Sequence, residues 1–209
     1  MSMCAALPAH ERALLKAIFV GRLKGARSDA AELSNVLGLP EELASGWLSS
    51  LESRGLVRGG AAGYVLTDAG RSAINVVLTG GVFDVIHPGH VYTLRAAAAL
   101  GDVLVVVVAR DSTVERNKGR PPLHGEDLRL MLVSALKPVD VAVLGSTGDI
   151  MDTVELVRPD VIALGYDQIH TEDSLIRAGA SRGLRFRIVR LDSPYPDIKT
   201  SAIRSKLGI

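Results

Sequence analysis

Two histidines three residues apart, His87 and His90, close the stretch Thr79-Gly80-Gly81-Val82-Phe83-Asp84-Val85-Ile86-His87-Pro88-Gly89-His90. That spacing puts both imidazoles on one side of a helix start. Pro88 suits the first helical turn, because its missing N–H is not needed there. A helix N-terminus offers free N–H groups and the positive end of its dipole, which together attract phosphate. Gly80 and Gly81 leave room for a ligand against the backbone. Two imidazoles at such a place can donate hydrogen bonds to phosphate oxygens as charge builds on them. The competing reading is two capping histidines with no ligand. His10, His124 and His170 lie elsewhere, show no metal-ligand spacing with acids, and are expected at the surface.

The elements that would position this stretch are legible. From Ile74 onward, strand and helix patterns alternate. Strands are expected at 74–78, 104–109, 139–144, 161–164 and 186–191. Helices are expected at 91–100, 126–136, 150–157, 174–182 and 201–207. The run Leu104 to Ala109 has no polar alternation, as in a parallel strand covered on both faces. Such a pattern implies right-handed crossovers and an open parallel sheet. Ligands bind beyond the carboxyl ends of such strands, and the glycine–histidine stretch follows the first of them. Before about residue 72 the periodicity is helical. Helices are expected from Pro8 to near Gly21, over 30–37, and from Pro40 to Gly55. Two short strands, 56–58 and 64–67, then flank a Gly-Ala-Ala-Gly turn. Three helices and a hairpin resemble a winged helix-turn-helix. The expected division is therefore a winged-helix-like domain over 1–72 and a Rossmann-like α/β domain over 73–209.

The chain of 209 residues has 24 Lys+Arg against 23 Asp+Glu, so no global field draws it to nucleic acid or an anionic membrane. Hydrophobic residues are 47 % and aromatics only 4 %, which demands an aliphatic core. The longest apolar run, Val103 to Ala109, is far short of the ~20 residues of a membrane span. One cysteine, Cys4, excludes an internal disulfide and a cysteine zinc cluster. With no secretory signal legible, a cytoplasmic location is expected.

The glycine–histidine stretch resembles the H-x-G-H nucleotidyltransferase superfamily, in its cytidylyltransferase-like branch, over roughly residues 74–207. Members join a phosphomonoester to the α-phosphate of a nucleoside triphosphate and release pyrophosphate. The resemblance implies His87 and His90 as the motif histidines and Gly81, Phe83 and Asp84 as the lead-in. The nucleotide is then expected along Thr79, Gly80, Gly81, Val82, Phe83 and Asp84. A family lysine that reaches the triphosphate is best matched by Lys118, within the basic run Arg116-Asn117-Lys118-Gly119-Arg120, otherwise a solvated loop. Arg129 matches an arginine expected on substrate phosphate, against the alternative of an ordinary exposed helix residue. Gly165 and Asp167 match a turn used against the nucleotide, against a plain strand-to-helix turn. Thr200 and Ser201 match hydroxyls at a helix start on the β- and γ-phosphates, against simple capping. Lys199 replaces the family's first serine there.

Within that superfamily, "VARDSTVERNKGRPP", "ALKPVDVAVLGS" and "RPDVIALGYDQ" resemble archaeal FAD synthetases, which transfer AMP from ATP to FMN. The resemblance implies ATP and FMN as substrates. The alternative is CTP-dependent transfer to glycerol 3-phosphate, in the manner of glycerol-3-phosphate cytidylyltransferases. A divalent metal, Mg²⁺, is expected on the triphosphate oxygens, with no dedicated protein metal site. A homodimer is one expected state. A third reading, a DNA-binding regulator with a nucleotide-sensing domain, fits poorly. Its recognition helix would open on Glu41-Glu42 and offers no cation before Arg54.

Overall fold

The computed structural model describes residues 7–166, 168 and 171–208. Two compact units divide between Ile74 and Asn75. Among the described residues, no helix is long and apolar enough to cross a membrane.

The first unit comprises α1 (Ala9–Lys24), α2 (Ala30–Leu37), α3 (Glu41–Ser53), β1 (Val57–Gly60), β2 (Gly63–Leu66) and the short α4 (Asp68–Ser72). Its core is Leu14, Leu15, Ile18, Phe19, Leu33, Leu48 and Leu51, all fully or almost fully buried. Asp29 caps α2 by accepting from the Glu32 N–H at 3.0 Å. The sequence reading ends α1 near Gly21, but the helix runs one turn further to Gly25, whose φ of 66° closes it. Gly21 is a packing glycine instead: a Cβ there would lie 2.9 Å from Ser28 Oγ. α4 has too few residues to show a period and escaped the pattern.

The second unit comprises β3 (Val76–Gly81), α5 (Pro88–Ala98), β4 (Val103–Val108), α6 (Asp111–Lys118), α7 (Glu126–Ser134), β5 (Val141–Leu144), α8 (Ile150–Val157), β6 (Val161–Gly165), α9 (Glu172–Ser181), β7 (Arg187–Leu191) and α10 (Thr200–Leu207). All five strands pair in parallel, in the order β5-β4-β3-β6-β7. The unbroken Val/Leu/Ile runs of β3, β4 and β6 are buried on both faces, which is why they carry no polar alternation. β3 is central, and its neighbours are reached by connections that leave in opposite directions. The crevice between the carboxyl ends of β3 and β6 is therefore the topological switch point, where such sheets take ligands.

The amino ends of the strands are closed by a repeated device. Asp102, Asp140 and Asp160 each stand just before a strand and accept a neighbouring strand's N–H. Asp102 accepts from Asn75 at 2.8 Å, Asp140 from Leu104 at 2.8 Å and Asp160 from Val76 at 2.7 Å. Each aspartate's own N–H donates back to the same residue's carbonyl. These acids satisfy backbone donors that a parallel sheet otherwise leaves open at its edge.

Two expectations need correction. β3 does not stop at Leu78: Thr79, Gly80 and Gly81 continue the ladder opposite Val106, Val107 and Val108. The glycines thus sit in a strand, where Gly80 faces Val107 so closely that a Cβ would be 3.4 Å from its carbonyl oxygen. Arg116, Asn117 and Lys118 of the basic run are not loop but the end of α6, which Gly119 closes with φ 67°. Only Val114 anchors it by burial, so no apolar period announces it.

Candidate active site

β3 ends where the candidate residues begin. Thr79 is buried, and its hydroxyl donates to the Ala163 carbonyl at 2.8 Å, tying β3 to β6. Phe83 then adopts φ 55°, a left-handed conformation that a bulky L-residue enters at a cost. The turn lays its ring over Gly81, where a Cβ would be 2.9 Å from the ring carbon Cζ. The same ring stands 5.1 Å, centroid to centroid, from His90. Glycine at 81 is therefore required by the ring that supports the histidine.

α5 opens at once. His87 is its extended N-cap and Pro88 its first residue. The rings of His87 and His90 stack at 3.8 Å with 27° between planes. Gly89 lets a second segment close in: a Cβ there would be 3.1 Å from the His87 ring and 3.5 Å from the Ile198 carbonyl oxygen. Lys199 caps α10, Thr200 is its first residue, and the Thr200 hydroxyl reaches the Val85 carbonyl at 3.4 Å. Two helix N-termini thus meet beside the stacked imidazoles, and their dipoles both favour an anion. Ser201 is exposed on the first turn of α10.

Two charged residues expected on the nucleotide are turned inward. Arg129 is fully buried. Its Nε donates to the His124 carbonyl at 2.8 Å and its Nη1 to the Val82 carbonyl at 2.7 Å. Its Nη2 donates to the Ala109 carbonyl at 2.7 Å and to Asp111 Oδ1 at 2.6 Å. The guanidinium thereby joins the segments that follow β3 and β4 to the loop before α7. Asp84, also buried, holds that same loop from the other side. Its Oδ1 accepts from the N–H groups of Leu123 at 2.7 Å and His124 at 3.1 Å. Its Oδ2 pairs with Arg204 of α10 at 3.2 Å. In this structure both side chains are buried and spend these bonds on ordering the loops at the sheet's carboxyl edge. His124, expected as a plain surface residue, is exposed yet has its Nδ1 2.9 Å from the Asp84 carbonyl oxygen.

The N-termini of α6 and α7 cap each other. Glu126 Oε2 accepts from the Asp111 N–H at 2.8 Å, and Asp111 Oδ2 accepts from the Glu126 N–H at 3.2 Å. Arg110 Nη1 adds a 2.6 Å bond to Glu126 Oε1. The Asp111 N–H first, and Arg110 second, hold the Glu126 carboxyl below the ordinary carboxylate range. Lys118 ends α6 as an exposed side chain, at the entry to the loop that Asp84 and Arg129 fix.

Gly165 ends β6 as a buried residue; Asp167 lies outside the described residues. Gln168, which sequence reasoning passed over, closes the switch point. Its Nε2 donates to the Gly80 carbonyl at 2.6 Å. Arg190 Nη1 donates to the carbonyls of Gly165 and Gln168, each at 3.2 Å. A glutamine just past a strand carries no periodic signal, and only its placement across the sheet shows its use. Among the described residues, no group of three or more His, Cys, Asp or Glu is placed to hold a metal ion.

A five-stranded parallel sheet in this order, with glycines and a histidine-bearing helix start at its switch point, is a Rossmann-like nucleotide-binding fold. Over residues 78–206 the sequence matches the cytidylyltransferase-like family, and the chain belongs to it. An Aciduliprofundum boonei protein named FAD synthase is 56 % identical over 115 residues, 55 % of this chain and 76 % of that one. One of the same name from Thermoplasma acidophilum is 49 % identical over 132 residues, 63 % of this chain and 92 % of the relative. A crystal structure from Thermoplasma volcanium GSS1, titled a lipopolysaccharide core biosynthesis protein, is 48 % identical with a TM-score of 0.56. It matches 57 % of this chain and 98 % of its own.

Proposed function

We propose that the protein is an FMN adenylyltransferase, transferring AMP from ATP to FMN to give FAD and pyrophosphate. The observation that carries this is the 49 % identity to a FAD synthase of which the match spans 92 %. In the reaction an FMN phosphate oxygen bonds to the α-phosphorus of ATP. The bond from that phosphorus to the bridging oxygen breaks, and pyrophosphate leaves with the electron pair. No covalent enzyme intermediate is needed, so the protein's part is positioning and charge stabilisation. His87 and His90 donate to the phosphate oxygens, with the N-terminal amides of α5 and α10, Thr200 and Ser201 beside them. Thr79, Gly80, Gly81, Val82 and Phe83 shape the strand end under the nucleotide, and Gly165 and Asp167 the turn opposite. Lys118 reaches the triphosphate from α6. Asp84 and Arg129 act by fixing the loop that follows Lys118. The Asp84 carboxylate is committed to the Leu123 and His124 N–H groups and to Arg204, so Mg²⁺ would be carried mainly by triphosphate oxygens.

The deciding experiment incubates the protein with each nucleoside triphosphate and either FMN or glycerol 3-phosphate, and measures pyrophosphate and FAD. FAD formed from ATP and FMN is expected. Turnover of glycerol 3-phosphate with CTP, and none of FMN with ATP, overturns the assignment.

The first unit is read as a winged-helix-like interaction module. α3 opens with Glu41 and Glu42 and exposes Leu43, a surface suited to protein rather than DNA. A salt-dependent shift of duplex DNA would refute this. Leu128, Met131 and Leu132, at i, i+3 and i+4 of α7, are exposed. They support pairing of two copies in solution, and a monomer mass at every concentration in sedimentation would count against it.

A further inference from the structure

We infer that Tyr92 and Tyr195 form an aromatic corner, a platform on which the isoalloxazine ring of the flavin substrate stacks against one phenol and meets the other edge to face, an inference that rests on the FMN adenylyltransferase reading. The chain has four tyrosines, three phenylalanines and one tryptophan. Of these, only Tyr92 and Tyr195 are exposed, at 40 % and 41 %. They are not scattered: their rings meet edge to face at 6.2 Å, with 85° between planes. An exposed pair of large aromatics in so aromatic-poor a chain leaves unspent the burial that such rings otherwise provide.

Their location links the pair to the phosphate chemistry. Tyr92 lies on α5, two residues after His90. Tyr195 precedes α10 on the strap whose Ile198 carbonyl closes on Gly89. The strap itself is held by a third tyrosine, since the Tyr166 hydroxyl donates to the Pro196 carbonyl at 2.9 Å. Lys199 places its Nζ 5.1 Å from the centre of the Tyr166 ring, a cation–π contact that fixes the strap's other end. Three of the four tyrosines, distant in sequence, thus converge on one short segment beside the paired helix starts. A phosphate bound at those helix starts would leave an attached ring system within reach of the platform.

The chemistry favours flavin over adenine. The switch-point crevice offers glycine backbone, suited to a polar nucleoside. The tyrosine pair offers exposed, electron-rich phenol rings. Isoalloxazine is a broad, electron-poor tricycle with an apolar dimethylbenzene edge, so it gains most from stacking there.

Flavin fluorescence supplies a direct test, because a stacked phenol quenches it by electron donation. FMN, and riboflavin as a ring without phosphate, would be titrated with the full-length protein and its Tyr92→Ala and Tyr195→Ala variants. Each substitution is expected to weaken FMN binding roughly 5- to 150-fold, the range that base–aromatic stacking supports. The KM for ATP should stay unchanged. Tyr92→Phe and Tyr195→Phe should keep FMN affinity but lose much of the quenching, a change that no packing defect produces. If the alanine variants bind FMN like the wild type, or if the KM for ATP rises instead, the platform assignment fails. Should an alanine variant melt early, the phenylalanine pair decides by its quenching alone. A wild-type protein that makes no FAD from FMN and ATP refutes the parent reading separately.

Discussion

Replacing Arg129 by Met separates two views of this residue. If Arg129 contacts substrate phosphate, its loss should raise the KM for ATP and leave the ligand-free fold intact. The structure makes it an internal clamp: fully buried, with three backbone carbonyls and the Asp111 carboxylate as acceptors. A hydrogen bond to a charged group contributes about 1.5–3 kcal/mol net. The four do not simply add, because the loop carbonyls regain water once released and Asp111 is partly exposed. Leaving buried acceptors without their donor costs about 1–3 kcal/mol each, and with three carbonyls released together a loss of about 3–5 kcal/mol is expected here. For a domain of this size it corresponds to a fall in Tm on the order of 10–20 °C without nucleotide. Differential scanning calorimetry of the ligand-free protein, paired with ATP saturation kinetics, gives both numbers. An unchanged Tm with a raised KM for ATP would refute the clamp.

His90→Ala should keep its Tm and lose roughly 10²–10³ in kcat, the usual effect of removing one preorganised donor; a variant as fast as the wild type would reduce His90 to a packing partner of Phe83. A fragment lacking residues 1–74 should fold and retain transferase activity, since every candidate site residue lies in the second unit; a soluble but inactive fragment would contradict this. Glu126 should contribute to acid stability. Its carboxyl titrates below the unfolded value of about 4.3, so its stabilisation is complete above that pH and is lost as pH falls through the lower folded value. The Tm gap between wild type and Glu126→Gln should therefore be widest near neutral pH and close under acid; a gap independent of pH would show that the Asp111 N–H and Arg110 do not hold the charge.

The sequence alone determined the local terms. Valine runs without polar alternation specify strands buried on both faces, and the helical periods between them specify a parallel sheet. The pair His87 and His90 behind Pro88 fixes a helix start that attracts phosphate, because capping and spacing act over a single turn. Composition set the aliphatic core, and the apolar runs are too short for a membrane-crossing helix among the described residues. The tertiary structure decided whatever depends on partners far along the chain. Gly80 and Gly81 read as loop until β4 supplies the ladder opposite them. α6 has one buried apolar residue, so its helix is fixed by capping from Glu126 rather than by its own pattern. Arg129 and Asp84 look like site charges in one dimension. In three, each meets protein donors or acceptors from several loops, and those partners turn both inward. Gln168 on Gly80, and Tyr195 against Tyr92, are pairings across more than eighty residues. No periodicity encodes such contacts, because they exist only once the crossovers have set the sheet's order.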